Sequence, residues 1–86
     1  MRELVFTRTF ERLFRRLSKQ VRDQTYEKLA LFQADPAHPS LRVKRIKGTD
    51  RIWEMSVTMN YRITFEVEGE RAILRRIGPH DILRTP

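Results

Sequence analysis

The pattern of apolar and polar positions is most regular in the C-terminal half of the chain. Residues 61–67 place apolar side chains at every second position with polar side chains between them, and residues 52–58 alternate in the same way. Such alternation is typical of strands that bury one face. Because short turn sequences join the strands, we expect each to be antiparallel to the next. The predicted strands are 41–47, 52–58, 61–67 and 71–77.

The two most regular strands predict one apolar and one polar face of the sheet. The apolar face consists of Trp53, Met55, Val57, Met59, Tyr61, Ile63, Phe65 and Val67. The polar face consists of Glu54, Ser56, Arg62 and Thr64. In residues 41–47 the alternation slips between Val43 and Ile46, which predicts a bulge or a twist. Residues 71–77 have apolar side chains of both parities, which predicts a strand that is covered on both faces.

Helical spacing replaces this alternation in the N-terminal half. The first apolar stripe, with i, i+3, i+4 and i+7 spacing, consists of Phe10, Leu13, Phe14 and Leu17. The second stripe consists of Val21, Thr25, Leu29 and Phe32, widened by Tyr26 and Ala30. Thr7 or Thr9 is expected to cap the first helix, and Ser18 the second. The second helix should end near Ala34, because the residue before Pro36 is disfavoured in the α region.

The order of these elements predicts the fold class. A short strand at Glu3–Phe6 comes before the helices, which gives the order β-α-α-β-β-β-β. We therefore expect an α+β fold, in which a helical hairpin packs on one face of a small, mainly antiparallel sheet. The length of 86 residues suits one modest hydrophobic core, so residues 1–86 are expected to form a single domain.

The charge of the chain indicates a class of partner. It has 18 Lys and Arg residues against 11 Asp and Glu, a formal net charge of +7, and the excess lies in residues 1–51. The densest basic segment contains Arg42, Lys44, Arg45, Lys47 and Arg51. Such a surface favours a polyanionic partner. A face that docks an acidic protein, or one that only confers solubility, is also consistent with this charge.

The composition also excludes several kinds of site. The sequence has no cysteine, which rules out disulfides and Cys-based zinc sites. Its acidic residues are spread out rather than clustered, so we expect no metal and no other cofactor. The first residues lack the apolar core of a signal peptide, and no stretch is suited to span a membrane. A cytoplasmic location without a membrane partner is the resulting expectation.

Several stretches in this order resemble the RelE/ParE superfamily of toxins from type II toxin–antitoxin pairs, particularly its RelE/YafQ-like branch. The stretches are His38–Leu41, Gly48, Trp53–Val57, Asn60–Phe65 and Ile77–Leu83. The resemblance implies one of two activities. Members are either ribosome-dependent mRNA endonucleases or, in the ParE branch, inhibitors of DNA gyrase. Most are held inactive by a cognate antitoxin.

The resemblance also implies roles for particular residues. In the nuclease branch, the arginine that matches Arg62 contacts the scissile phosphate, and basic residues that match the 42–47 segment bind RNA. A C-terminal histidine or tyrosine serves as acid or base in several members, and His80, within a Gly-x-His-Asp pattern, is the match here. The YafQ-like group has further histidines and an acid near Ser56 and Asn60, which this chain lacks. The chain also lacks the C-terminal tyrosine of the RelE group proper, so the catalytic set is incomplete by either template.

Cleavage of RNA without a metal needs a base for the 2′-OH, cations for the phosphorane and an acid for the leaving 5′-oxygen. Arginine suits the phosphorane because its fork meets two oxygens, and histidine suits proton transfer near neutral pH. The predicted catalytic residues are therefore Arg62, His80 and Glu54. The predicted RNA-binding residues are Arg42, Lys44, Arg45, Lys47, Arg51 and Arg84.

Simpler roles remain open for these residues. Arg62 and Glu54 can form a cross-strand ion pair and nothing more, and His80 can cap a turn with Asp81. The favoured hypothesis is an mRNA interferase that acts at the ribosome on mRNA and is bound by an acidic antitoxin. One alternative is a ParE-like gyrase inhibitor, which needs no acid or base. Another is an inactive relic that binds only its antitoxin.

Overall fold

The computed structural model describes residues 3–86 and consists of two helices and five strands. The elements are β1 (Glu3–Phe6), α1 (Arg8–Arg15), α2 (Lys19–Ala34), β2 (Lys44–Arg45), β3 (Ile52–Ser56), β4 (Tyr61–Glu68) and β5 (Arg71–Pro79). Two 3₁₀ helices complete the chain, one at Pro39–Leu41 and a C-terminal one at His80–Arg84. Neither α1 nor α2 has the length and apolar character needed to cross a lipid bilayer.

The two α-helices begin at the predicted hydroxyl caps. Thr7 Oγ1 accepts a hydrogen bond from the backbone N–H of Phe10 at 3.2 Å, and Ser18 Oγ accepts one from Val21 at 3.3 Å. Thr7 also donates to the carbonyl of Leu74 at 2.7 Å, which ties the start of α1 to β5. The capping hydroxyl at the first helix is therefore that of Thr7 rather than Thr9.

The strands form one mixed sheet in the order β1-β5-β4-β3-β2. The strands β2 to β5 are sequential antiparallel neighbours, which confirms the predicted meander. β1 pairs in parallel with β5 at the far edge of the sheet. A parallel neighbour needs a long crossover connection, and here the two helices lie within that connection.

The core lies between the helical hairpin and one face of the sheet. Its fully buried side chains include Phe10 and Phe32 of the helices and Met55, Ile63, Phe65, Leu74 and Ile77 of the sheet. The rings of Phe32 and Phe65 meet edge to face with centroids 5.1 Å apart. This arrangement confirms the predicted α+β fold, in which the helices cover the apolar face of the sheet.

Four residues predicted on apolar faces are instead exposed. β3 ends at Ser56, so Met59 lies in the following turn and is 87% exposed. Val67 lies near the end of β4 and is 41% exposed. Tyr26 and Ala30 lie on the outer side of α2, and Tyr26 is 61% exposed. The apolar stripe of α2 is therefore narrower than its sequence predicts.

The predicted strand 41–47 is wrong in its extent, because only two of its residues pair with β3. Leu41 ends a 3₁₀ helix and is fully buried, and Ile46 is buried just after β2. Between them Arg42 has left-handed backbone angles, with φ 51° and ψ 45°. The predicted bulge is therefore not observed, since β2 has only two residues and pairs with β3 without a register shift.

The bulge of the sheet lies in β5 instead. Thr64 pairs with Arg76, but the next residue of β4, Phe65, pairs with Leu74, so Arg75 is the extra residue. An extra residue shifts the alternation by one position. Leu74 and Ile77 are therefore both buried, although they are three residues apart. By contrast, Ile73, which pairs with Glu66, is half-buried on the other face.

Replacing Thr7 with alanine should lower the free energy of unfolding by about 1 to 2 kcal/mol, because the α1 cap and the bond to β5 are both lost. The matched control is Thr9→Ala, which removes a hydroxyl from within the same helix and should change stability by less than about 0.5 kcal/mol. Urea unfolding of both variants measures the difference. Equal losses in the two variants would show that Thr7 is not the cap that matters.

Candidate functional site

Cross-strand pairing brings the predicted polar residues onto one face of the sheet. Glu54 and Ser56 of β3 pair with Thr64 and Arg62 of β4, and Lys44 of β2 pairs with Glu54. Residues directly opposite each other in antiparallel strands point to the same face. This face is the one turned away from the helices, because the alternate residues of β3 and β4 form the core.

Arg62 is held in place by the turn between β3 and β4. Its Nη1 donates to the carbonyl oxygens of Thr58, Met59 and Tyr61 at 2.7, 3.0 and 3.2 Å. Its Nε lies 3.8 Å from Oε1 of Glu54, and the side chain is only 12% exposed. The sequence did not reveal these carbonyl contacts, although a turn just before Arg62 was predicted. The guanidinium is therefore fixed rather than mobile.

One part of this guanidinium remains available to a ligand. An arginine has five N–H donors, and those on Nη1 and Nε face the turn and Glu54. Within residues 3–86, Nη2 has no hydrogen-bond partner. Arg62 opens into a groove of about 340 Å³, whose lining residues are Arg42, Val43, Lys44, Glu54, Ser56 and Arg62. An anion that enters this groove meets several cationic side chains.

Glu54 is the acidic member of the groove and is 6% exposed. Its position beside Arg62 is consistent with the interpretation that the two residues only form a cross-strand ion pair. A carboxylate that lines the same groove as Arg62 can also accept a proton from a bound substrate. The geometry therefore supports both roles for Glu54.

The C-terminal segment, residues 80–86, covers part of the polar face, which the sequence had not indicated. Thr64 is fully buried and donates to the carbonyl of Pro86 at 3.1 Å, and Arg75 donates to the same oxygen at 3.2 Å. Ile82 lies over Gly78 so closely that a Cβ there would be 2.7 Å from its Cγ2. The expectation that Thr64 lies on an open face is therefore wrong, and the open part of the face is the groove.

His80 lies beyond the end of β5, outside the residues that line the groove. Arg62 pairs with Gly78, and His80 follows two residues later, about 7 Å along the chain at the usual rise of a strand. The His80 side chain is exposed and forms no hydrogen bond with any residue in 3–86, Asp81 included. The alternative in which His80 and Asp81 cap a turn together is therefore not observed.

The predicted RNA-binding residues divide between the groove and other surfaces. Arg42 and Lys44 line the groove. Arg45 pairs with Trp53, so it has the opposite parity to Lys44, although it is exposed at the sheet edge. Lys47, Arg51 and Arg84 were predicted to bind RNA together with these residues.

The remaining three basic residues lie apart from the groove. Lys47 and Arg51 are exposed in the connection between β2 and β3, and Arg51 lines a separate cavity with Glu66. Arg84 is exposed in the C-terminal 3₁₀ helix. Within residues 3–86, no cluster of three or more His, Cys, Asp or Glu side chains is arranged to hold a metal ion.

Comparison with solved structures finds close matches to this fold over nearly the whole chain. The RelB–RelE antitoxin–toxin complex from Methanococcus jannaschii matches with a TM-score of 0.75 and 23% identity, covering 93% of this chain and 94% of that one. YafQ from Escherichia coli BL21(DE3) matches with a TM-score of 0.78 and 10% identity, covering 96% and 98%. A YoeB/ParE toxin from Agrobacterium tumefaciens matches with a TM-score of 0.75 and 17% identity, covering 91% and 98%.

The fold is therefore that of the RelE-like toxins, as the sequence resemblance implied. In particular, the N-terminal strand, the two helices and the five-stranded mixed sheet match those of the RelE and YafQ structures. No protein-family model matches the chain, and no curated protein sequence matches it significantly.

Replacing Arg62 with methionine should lower the free energy of unfolding by about 3 kcal/mol, because Glu54 is then left buried without its cation. Adding Glu54→Gln should restore part of that loss, because the uncompensated charge is gone. A double-mutant cycle by urea unfolding measures the coupling between the two residues. Strictly additive losses would show that Arg62 and Glu54 do not interact.

Proposed function

We propose that this chain is the toxin of a type II toxin–antitoxin pair and that it cleaves mRNA at the ribosome without a metal. Residues 1–86 act as one toxin domain in the cytoplasm. The observation that carries this proposal is the fixed guanidinium of Arg62, which opens into a basic groove on a RelE-like fold. The fold alone does not distinguish a nuclease from a gyrase inhibitor, so the chemistry of the groove decides our choice.

Arg62 stabilises the transition state in this proposal. Negative charge develops on the phosphate as the 2′-oxygen attacks, and donors already oriented toward that charge need no rearrangement. The three turn carbonyls that hold Nη1 provide such orientation and leave Nη2 for the phosphate. Lys44 and Arg42 in the same groove bind the RNA backbone.

Glu54 and His80 carry the protons. Glu54 lines the groove beside Arg62 and accepts the proton of the 2′-OH as the 2′-oxygen–phosphorus bond forms. His80, exposed and without a hydrogen bond to residues 3–86, donates a proton to the leaving 5′-oxygen as its bond to phosphorus breaks. The products are a 2′,3′-cyclic phosphate and a 5′-hydroxyl. In this proposal one scissile phosphate contacts both groups, since His80 follows two residues after Gly78, the cross-strand partner of Arg62.

An acidic antitoxin is the second proposed partner. Structures with this fold include RelB–RelE complexes from Methanococcus jannaschii and Escherichia coli. In this chain a cleft of about 370 Å³ between the helices and the edge strand β1 contains Phe6 and Tyr26, which are 45% and 61% exposed. An antitoxin segment with apolar and acidic side chains would cover these rings and neutralise the arginines of α1.

Induced expression of the parent chain should stop protein synthesis and leave mRNA cut within ribosome-bound regions. Arg62→Lys keeps a positive charge but removes the Nη2 donor and the turn contacts that orient it, so we expect cleavage to fall about 100- to 1000-fold. Arg71→Lys at the far side of the sheet is the matched control and should cleave normally. Thermal unfolding checks that both variants fold.

The same experiment separates the alternatives. Halted DNA replication and a DNA-damage response, with intact mRNA, would replace the nuclease with a ParE-like gyrase inhibitor. Normal growth during expression of the folded parent chain would identify a relic that binds only its antitoxin.

Replacing His80 with alanine should slow cleavage about 100-fold or more, because the acid for the leaving group is lost. Stability should be unchanged, since the side chain is exposed and unbonded within residues 3–86. Single-turnover cleavage of ribosome-bound mRNA gives the rate, with Asp81→Asn as the neighbouring control. A parental rate in the His80 variant would show that another group, such as one on the ribosome, supplies the proton.

A further inference from the structure

A second cavity lies directly beside the groove that contains Arg62. Its volume is about 480 Å³, and its lining residues are Pro36, Ala37, His38, Pro39, Arg42 and Val43. Arg42 and Val43 line both cavities, so the two share one wall. A polymer chain bound in the groove can therefore place its next unit in this second cavity.

The shared wall is built from an unusual backbone conformation. Arg42 has φ 51° and ψ 45°, a left-handed region that residues with a side chain rarely adopt. The 39–41 3₁₀ helix imposes it, because the N–H of Arg42 donates to the carbonyl of Pro39 at 3.2 Å and the adjacent Leu41 is fully buried. This conformation places an exposed guanidinium at the boundary between the two cavities.

The His38 ring is fixed in the wall of the second cavity. Its Nδ1 accepts a hydrogen bond from the backbone N–H of Ser40 at 3.1 Å and lies 2.9 Å from Ser40 Oγ. Lys28 donates to the same hydroxyl at 3.2 Å. Because Nδ1 is an acceptor, the neutral ring carries its proton on Nε2, which remains a donor.

The chemistry of this cavity suits an unpaired nucleobase. Two prolines and a fixed imidazole give it rigid, largely apolar walls, and unpaired bases in RNA are bound by stacking on flat rings together with a few hydrogen bonds to their edges. Its volume lies in the usual range for small-molecule pockets, about 300 to 1,000 Å³.

We propose that the 36–43 loop binds the nucleobase next to the scissile phosphate of single-stranded RNA, with Arg42 on the intervening phosphate. This inference rests on the proposed endonuclease function. It adds the direction in which the RNA strand runs over the surface. The RNA passes from the groove toward α2 and the loop, and not toward Lys47 and Arg51. His38 stacks on the base or donates from Nε2 to an acceptor on its edge, so the loop sets a nucleotide preference beside the cut.

Two loop variants test the pocket without disturbing the catalytic residues. His38→Asn removes the ring but keeps a side-chain acceptor for the Ser40 N–H. Ala37→Trp fills the exposed cavity. Ala30→Trp, on the exposed side of α2, is the matched control for a new surface tryptophan.

The substrates are ribosome-bound mRNAs that carry either a normal or an abasic nucleotide on each side of the cut. The parent and Ala30→Trp should cleave the RNA that is abasic on one side of the cut about tenfold less efficiently than the normal RNA, through a raised KM. Ala37→Trp and His38→Asn should cleave normal and abasic RNA with the same efficiency. Their kcat should equal that of the parent. If both loop variants discriminated between normal and abasic RNA as the parent does, the pocket proposal would be overturned. The endonuclease proposal would still stand.

Absence of cleavage by the folded parent would overturn the endonuclease proposal instead. Fluorescence anisotropy with a labelled single-stranded RNA oligonucleotide then decides the pocket separately. Weaker binding by Ala37→Trp than by Ala30→Trp would support the pocket, and equal binding would overturn it.

Discussion

The pleat of β4 is the constraint on which the rest of the molecule depends. Successive side chains of a strand point to opposite faces, so burial of Ile63 and Phe65 beneath the helical hairpin sends Arg62 and Thr64 to the other face. A shift of one residue in register would place a guanidinium in the hydrophobic core. The packing energy of the helices therefore also determines where the candidate site lies.

The charges of the site are held by the backbone as much as by each other. Arg62 and Glu54 are both nearly buried, and their 3.8 Å separation is longer than a hydrogen bond. The shorter contacts of Arg62 are with three carbonyl oxygens of the β3–β4 turn. A turn that accepts hydrogen bonds from a cation compensates part of its desolvation and leaves one side of the guanidinium for a ligand. The same contacts support stability and the proposed chemistry, so a loss of activity at Arg62 is interpretable only with a measurement of folding.

The parts of this structure that the sequence predicted are those set by local spacing. The caps at Thr7 and Ser18, the two apolar helical stripes and the polar face of β3 and β4 follow from residues near each other in the chain. The missed features depend on contacts between distant residues. Leu41 is buried by the fold and shortens β2, and Pro86 covers Thr64 from 22 residues away. The position of His80 outside the groove likewise depends on how the chain leaves β5, which no pattern in the sequence specifies.

The parallel pairing of β1 with β5 has a consequence for the newly made protein. Glu3 to Phe6 are synthesised well before their partners, Arg71 to Leu74. The sheet cannot close until residues 71–74 have been synthesised, since β1 and β5 are far apart in the sequence. A truncated or stalled nascent chain thus carries an unpaired N-terminal strand and an exposed aromatic hairpin. Such fragments are candidates for chaperone binding and proteolysis.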